Sequence, residues 1–246
     1  MGLRVERVGA VLRLTLCRPV AHNALDGALV VALREALAAA TEPSVSVIVL
    51  AADGPTWCTG ADLASLVDDA ASRGQVIHDY ADLLADMCAS PVPIVAEVDG
   101  AVRGGGVGLL CAADLVAMGP AATVSLPEAK MGLWPMMVGA LLPRVVSPRV
   151  AMDLALTGRV LSAAECLTLG LASRVGERAD AAVGELVRAL QKGAPGAIRA
   201  GRAAWRGGLS PTPEALRGQL HLLADALDEL GQSPEAVARI AAFLRR

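Results

Sequence analysis

Aromatic side chains are scarce in this sequence, which has one Phe, one Tyr and three Trp among 246 residues. Hydrophobic residues nevertheless make up 54% of the chain, so the core must be built mainly from Ala, Leu and Val. Such small aliphatic side chains suit the close packing of helices on strands. Because a globular domain usually takes roughly 100–200 residues, the length favours one domain with an appendage over two full domains.

Positive charge is not in excess either. The chain has 22 Lys and Arg against 25 Asp and Glu, which gives a net charge of −3. A nucleic-acid partner is therefore not predicted, because such proteins carry a basic patch or stripe. The five cysteines are odd in number and lack Cys-x-x-Cys or Cys/His ligand spacing. Without an apolar leader segment as well, the sequence predicts reduced thiols, no metal site and a cytoplasmic location.

Long hydrophobic runs are also missing. The most apolar stretch, residues 107–119, is shorter than the roughly 18 residues of a membrane span and contains Asp114. No membrane segment is predicted, and this stretch is interpreted as a buried helix running into a strand.

Short strand patterns alternate with helix patterns along the first three quarters of the chain. The predicted strands are residues 3–7, 11–16, 45–50, 94–98, 115–118, 123–125 and 172–175. Asp26 is predicted to cap a helix, and Ser162 with Glu165 forms a second capping pattern. Residues 56–62 and 99–106 are predicted loops, and residues 181–246 are predicted helices. This alternation is typical of an α/β fold whose strands are buried on both faces.

Two glycine-containing loops each join a strand to a helix. Gly104-Gly105-Gly106-Val107-Gly108 would expose backbone N–H groups at a helix N-terminus, where negative charge is stabilised. The run fits neither a dinucleotide fingerprint nor a P-loop. It fits a tight turn with positive φ equally well. Residues 57–62 form the second loop, and together the two loops can present one N–H each to a single oxygen, as an oxyanion hole does.

Five motifs resemble consecutive signatures of the enoyl-CoA hydratase/isomerase (crotonase) family and occur in the family's order over about residues 3–176. They are Arg18-Pro19 through His22-Asn23-Ala24-Leu25, Trp57 to Asp62, Gly104 to Asp114, Pro127-Glu128 with Gly132, and Leu156-Thr157-Gly158 with Ala164-Glu165. The resemblance implies a crotonase-like spiral of ββα repeats with the acyl-CoA site in residues 1–185. It also implies a C-terminal helical oligomerisation region in residues 186–246, and a homotrimer or dimer of trimers.

The resemblance further implies the residues of the site. Glu128 is the expected acid–base group, and the amides of Ala61 and Gly105 are expected to hold the thioester oxygen. CoA enters as part of the substrate, and no further cofactor and no metal are expected. The expected substrate-binding residues are Ala21, Cys58, Gly60, Asp62, Leu63, Gly104, Gly108, Trp134, Met136 and Met137.

The number of carboxylates decides which reaction is expected. Hydratases of this family use two glutamates, but Gly108 stands at the first position and can neither hold a water nor take its proton. A single carboxylate near Cα can still move a proton from one carbon to another, so isomerisation of 3-enoyl-CoA to 2-enoyl-CoA is preferred. Hydration of 2-enoyl-CoA and binding of acyl-CoA without catalysis stay as alternatives.

Several of these residues also fit purely structural roles. Glu128 can equally be a solvated residue in the first turn of a helix. The bulky run from Leu133 to Met137 either reshapes an acyl pocket or forms a helix–helix contact. The three histidines lack a partner at ligand or triad spacing and are given structural roles, and Cys58 and Cys111 fit small core residues.

Overall fold

The computed structural model of this protein describes residues 2–62, 70–209 and 212–245. Leu63, one of the expected substrate-binding residues, lies outside the described residues. The largest sheet has six strands in the order β1-β2-β3-β5-β7-β10, of which β1 and β2 form an antiparallel hairpin and the others run parallel. These strands are β1 (Leu3–Val8), β2 (Val11–Leu16), β3 (Val47–Ala52), β5 (Ile94–Val98), β7 (Leu115–Met118) and β10 (Arg174–Val175).

A second sheet of four short strands follows the order β4-β6-β8-β9, with β9 antiparallel to the rest. Its strands are β4 (Thr56–Cys58), β6 (Ala101–Arg103), β8 (Thr123–Ser125) and β9 (Leu161–Ser162). The prediction of loops over residues 56–62 and 99–106 is wrong where β4 and β6 lie. Three residues are too few to show a strand period, and these two strands form because they pair with each other.

The two sheets alternate along the chain. The connections from β3 to β4, from β5 to β6 and from β7 to β8 each carry the chain from the large sheet into the small one. Each of the first two steps is followed by a helix, which gives the spiral of ββα repeats that the sequence resemblance implies. The helices of this part are α1 (Gly27–Ala39), α2 (Ala70–Ala89), α3 (Gly105–Ala112), α4 (Met136–Leu141), α5 (Pro148–Thr157) and α6 (Ala163–Leu169).

Side-chain caps set two of these helices as the sequence predicts. The Asp26 carboxylate accepts a hydrogen bond from the Leu29 amide at the start of α1. At the start of α6, Ser162 and Glu165 satisfy each other's backbone amides in a capping box. Each cap satisfies N–H groups that lack an acceptor within the helix, which typically stabilises a protein by about 1 kcal/mol.

The parallel strands are buried on both faces, as predicted. Ile48 and Leu50 of β3 point into the main core, whereas Val47 and Val49 pack on the other face against α7 (Ala179–Gln191). This alternation is the two-residue period of a strand covered on both sides. The expected boundary between residues 185 and 186 passes through α7, whose Leu186 belongs to the packed face.

Three further helices complete the described chain: α8 (Pro195–Leu209), α9 (Pro213–Gly231) and α10 (Pro234–Leu244). Helix α9 packs along α2. His78 and His221, which have no partner by sequence spacing, meet there with ring centroids 4.9 Å apart and their Nδ1 atoms 2.7 Å apart. Arg217 adds ion pairs to Asp82 and Asp86. None of the described helices is long and apolar enough to span a membrane.

Candidate active site

The small sheet brings three chain segments to one edge. Strands β4, β6 and β8 run parallel, with Cys58 opposite Val102 and Val102 opposite Val124, and the register of β4 against β6 shifts between Thr56 and Cys58. Parallel strands end at the same edge, so the residues that follow them lie side by side. Those residues are Gly60-Ala61 after β4, Gly104-Gly105 after β6 and Pro127-Glu128 after β8.

Two backbone amides at this edge are free to bind a ligand. Leu25 donates its N–H to the Gly60 carbonyl at 2.8 Å and accepts from the Asp62 amide at 3.1 Å. Ala61 lies between these two bonds, so its own N–H points the other way. Gly105 is the first residue of α3 and its N–H has no intrahelical acceptor. Neither amide has an acceptor among the described residues.

The loops that carry these amides touch. A Cβ on Gly60 would lie 2.4 Å from the Gly105 nitrogen, and Gly60 itself has φ +84. Gly104 has φ +51, and a Cβ on it would lie 3.2 Å from Oε1 of Glu128. A side chain is therefore excluded at Gly60 by backbone conformation and by space, whereas at Gly104 it is disfavoured chiefly by the positive φ. The glycine run therefore both makes the tight turn and exposes the Gly105 amide.

Glu128 lies beside this pair of loops. Its side chain is buried, with 9% of its surface exposed, at the start of a 3₁₀ turn over Glu128–Met131. Burial overturns the alternative of a solvated helix residue. The Oε2 atom has no hydrogen-bond partner among the described residues. Burial of the carboxylate raises the pKa of Glu128 from 4.5 to about 7, which suits a group that gives and takes a proton near neutrality.

A cavity of about 800 Å³ opens over the two loops and Glu128. Its size falls within the range of small-molecule sites. The 3₁₀ turn, the segment 133–138, α2 and the end of α10 contribute further parts of the wall. Of the residues expected in the site, those that line it are Ala61, Asp62, Gly104, Gly105, Glu128, Trp134, Met136 and Met137. The bulky run after Gly132 thus faces the cavity, and Met137 and Leu133 are also packed into the protein.

Four expected substrate-binding residues do not line the cavity: Ala21, Cys58, Gly60 and Gly108. Ala21 ends the 3₁₀ turn Pro19–Ala21. Cys58 is fully buried, and its sulfur accepts from the Gly60 amide at 3.4 Å. Burial raises the pKa of the Cys58 thiol to about 12, so it stays a protonated core residue. Gly60 packs directly against the backbone of Gly105, and Gly108 is buried within α3.

Among the polar residues that line the cavity but were not expected in the site, two lie beside the glycine run. Tyr80 of α2 donates its hydroxyl hydrogen to the Gly105 carbonyl at 2.5 Å, and it is the one tyrosine of the chain. Arg103 precedes the glycine run and donates to the Val102 and Thr123 oxygens. Burial lowers the pKa of the Arg103 guanidinium. A lone aromatic residue and a charge beside the glycines are the sequence signals that point to them.

Metal ligation finds no support in the described part of the chain. There, no group of three or more His, Cys, Asp or Glu side chains is placed to hold a metal ion. The other carboxylate of the cavity, Asp62, lies 3.3 Å from the Arg18 guanidinium. The site therefore offers two amide donors, one paired carboxylate and one buried carboxylate of raised pKa.

Known proteins resemble this chain over most of its length. A model of the enoyl-CoA hydratase/isomerase family matches residues 6–241. Cyclohexa-1,5-dienecarbonyl-CoA hydratase of Thauera aromatica is 31% identical over 98% of this chain and 93% of its own. Carnitinyl-CoA dehydratase of Salmonella arizonae is 34% identical over 81% of this chain and 78% of its own. The crystal structure of an enoyl-CoA hydratase from Mycobacterium avium is 34% identical, with a TM-score of 0.88 over 99% of this chain and 96% of its own.

Proposed function

The chain belongs to the enoyl-CoA hydratase/isomerase family, and we propose that it converts 3-enoyl-CoA to 2-enoyl-CoA with Glu128 as its single acid–base group. It is thus a crotonase-family enzyme, of a family that acts on CoA thioesters. The observation that carries the proposal is the state of the two carboxylates in the cavity. Asp62 is paired with Arg18, whereas Glu128 is buried, has a raised pKa and lies against Gly104.

The amides of Ala61 and Gly105 supply the electrostatic part of the reaction. Removing a proton from C2 of the substrate places negative charge on the thioester oxygen. Two N–H groups without acceptors among the described residues can receive that oxygen. Because they are fixed by the surrounding backbone, they need no reorganisation as the charge develops, and one such donor typically contributes about 3–4 kcal/mol.

Glu128 supplies the proton transfer. Its carboxylate removes a proton from C2, and the electron pair delocalises over the thioester oxygen and the former double bond. The same carboxyl group then returns the proton to C4, so the double bond ends between C2 and C3 and no atom is gained or lost. A pKa of about 7 lets one group act as base and then as acid.

The proposal extends to the domain organisation, the oligomeric state and the cellular location of the protein. Residues 1–185 supply the two loops and Glu128 of the acyl-CoA site, although α9 and α10 also line its cavity. Residues 186–246 hold copies together as a trimer or a dimer of trimers. Large apolar side chains on the C-terminal helices support the second part, since Trp205 and Leu222 are each 71% exposed. The free cysteines of the described chain are in keeping with a reducing cytoplasm.

Hydration of 2-enoyl-CoA is the second candidate. The names of the relatives favour it, because one is a hydratase and another a dehydratase. Within the described residues, however, the cavity offers no second unpaired carboxylate to hold the attacking water.

A turnover panel of 3-enoyl-, 2-enoyl- and 3-hydroxyacyl-CoA esters tests the proposal. We expect turnover of the 3-enoyl ester, slow hydration of the 2-enoyl ester, and a loss of roughly 10²–10⁴-fold in isomerisation for Glu128→Gln. Glu165→Gln, a change at a carboxylate outside the cavity, is the matched control and should keep full activity. Efficient hydration by the unaltered protein would favour the second candidate. Tight binding of every ester with no turnover would make it a non-catalytic acyl-CoA-binding protein.

A further inference from the structure

Tyr80 reaches from α2 to the first turn of α3. Its hydroxyl donates to the Gly105 carbonyl at 2.5 Å. A Cβ on Gly108 would lie 2.2 Å from that hydroxyl oxygen, and a Cβ on Gly105 would lie 3.4 Å from it. The phenol oxygen therefore lies against α3 between these two glycines, on the side that faces the cavity.

The space taken by Tyr80 explains why residue 108 is glycine. Its φ is not in the left-handed region, so the backbone does not require glycine there. Glycine inside a helix destabilises it by about 0.5–1 kcal/mol relative to alanine. Any larger side chain would collide with the Tyr80 hydroxyl, and two Leu84 methyl carbons close the space at 3.4 Å. Tyr80 and Gly108 thus form one packing unit.

The Tyr80 hydroxyl stays protonated, and its hydrogen is donated to the Gly105 carbonyl. Tyr80 is 7% exposed, and burial raises its pKa well above its usual value of 10.0. A neutral phenol whose hydrogen is donated to a carbonyl is neither a base nor a proton source for the substrate. What it can do is fix the peptide to which it is bonded.

Gly105 needs this restraint, because its N–H belongs to the adjoining Gly104–Gly105 peptide, whose direction relative to the held carbonyl depends on the backbone angles of Gly105. Gly104, Gly105 and Gly106 are consecutive, and glycine has the largest conformational freedom of any residue. The N–H of Gly105 must nevertheless point at the thioester oxygen within a narrow tolerance, because catalytic donors lose their effect when displaced by about 1 Å. Gly60 limits Gly105 on one side, and the Tyr80 hydrogen bond ties its carbonyl on another.

We propose that Tyr80 is a positioning residue of the oxyanion hole, which fixes Gly105 through its carbonyl and closes the space beside Gly108 to a second acid–base side chain. The inference rests on the proposed function, since it assigns the Gly105 amide to the thioester oxygen. It also explains how the site works with Glu128 alone. The place that a second carboxylate could take is filled by a neutral phenol.

Tyr80→Phe tests the first part, because it removes the hydroxyl and keeps the ring. For the conversion of 3-enoyl-CoA we expect kcat to fall about 10- to 100-fold while KM changes little. The thioester C=O stretching frequency of a bound saturated acyl-CoA, measured by difference infrared spectroscopy, should move toward its value in water. A residue that only supports the fold would lower the unfolding midpoint and leave the frequency unchanged, and that result would overturn the proposal.

Gly108→Ala tests the second part through a double-mutant cycle. In the otherwise unaltered protein the new methyl group must displace the Tyr80 hydroxyl, so kcat should fall as far as in Tyr80→Phe. When the same change is added to the Tyr80→Phe variant it should have no further effect on kcat, because its steric target has gone. Independent losses that multiply in the double variant would show that the two residues do not act as one unit.

The infrared measurement separates this inference from the proposed function because it needs no turnover. A carbonyl frequency lowered in the unaltered protein and restored by Tyr80→Phe supports the positioning role even if 3-enoyl-CoA is not isomerised. Isomerisation by the unaltered protein with no effect of Tyr80→Phe on kcat or frequency would refute the positioning role and leave the proposed function intact.

Discussion

Replacing Glu128 with Gln removes the charge of a buried carboxylate and keeps nearly the same size and shape. The Glu128 side chain is 9% exposed, and its Oε2 atom has no hydrogen-bond partner among the described residues. The hydrogen bond from its own backbone N–H favours the ionised form, but burial opposes that form more strongly. The variant should therefore lose isomerase activity and, at neutral and alkaline pH, gain stability.

The size of the gain follows from the pKa. Burial raises the pKa of Glu128 from 4.5 to about 7. Each tenfold change in a proton-binding constant corresponds to about 1.4 kcal/mol, so ionised Glu128 lowers the free energy of unfolding by about 3 kcal/mol. A Gln at this position carries no such cost. Its buried amide adds a pH-independent cost of about 1–3 kcal/mol if its N–H groups lack acceptors.

Whether stability rises or falls with pH depends on whether the folded or the unfolded state binds more protons. Unfolded Glu128 loses its proton as the pH rises through 4.5, whereas the folded protein keeps it until about pH 7. Between these values the folded state binds more protons, so its stability falls as pH rises. Above about pH 7 both states are ionised and the cost is constant. The stability of the variant relative to the unaltered protein should therefore rise from about pH 4.5 to 7 and then level off.

Urea unfolding followed by tryptophan fluorescence, at one protein concentration and from about pH 5 to 8.5, measures this difference. Glu165→Gln is the matched control. The Ser162 backbone N–H lowers the pKa of Glu165 below 4.5, so its effect on stability changes only in more acidic solution. Its curve should run parallel to that of the unaltered protein. The reasoning about Glu128 fails if the Glu128→Gln curve is parallel as well.

Four further outcomes are expected. The kcat/KM for 3-enoyl-CoA should rise with pH through about 7, because Glu128 acts first as a base; a flat profile would exclude it from that role. Gly105→Pro should lower kcat roughly 10²–10³-fold by removing one amide donor, whereas Gly105→Ala, which keeps the N–H, should lose less. Equal losses in the two would mean that the N–H is not the donor. Trp205→Glu with Leu222→Glu should reduce the mass measured by light scattering, while Val8→Glu, on exposed β1, should not. Asn23→Ala should cost about 3 kcal/mol in urea unfolding, because the buried Asn23 side chain bonds the Arg18 amide and the Asp53 and Thr56 carbonyls; an unchanged midpoint would contradict this.

Contiguous patterns in the sequence predict much of the fold. The cap of α1 by Asp26, the capping box of α6, and strands β7 and β8 occur where composition and spacing indicate them. The physical reason is that caps and hydrophobic periods depend on neighbours within a few positions. The five ordered motifs likewise identify the family that residues 6–241 match.

Amphipathic patterns predict less where more than one face is apolar. In α10 the helical spacing of the apolar residues Val237, Ile240, Ala241 and Leu244 places them on one face and predicts that this face is buried. The structure buries Ala236 and Ile240 beside Leu133 and leaves Val237 and Leu244 44% and 47% exposed. The segment against which a helix packs decides its buried face, and that partner lies a hundred residues away.

The chemistry of the site is decided by tertiary structure alone. Sequence motifs point to Glu128, but only its burial shows that its pKa is raised. The glycine at position 108 is visible in the sequence, whereas the Tyr80 hydroxyl that fills its place comes from α2, 28 positions earlier. Strands β4 and β6 exist because they pair with each other, and that pairing sets Gly60, the residue before Ala61, against Gly105. A residue's neighbours in space determine its solvation, its hydrogen bonds and the room for its side chain, and sequence spacing does not specify which neighbours those are.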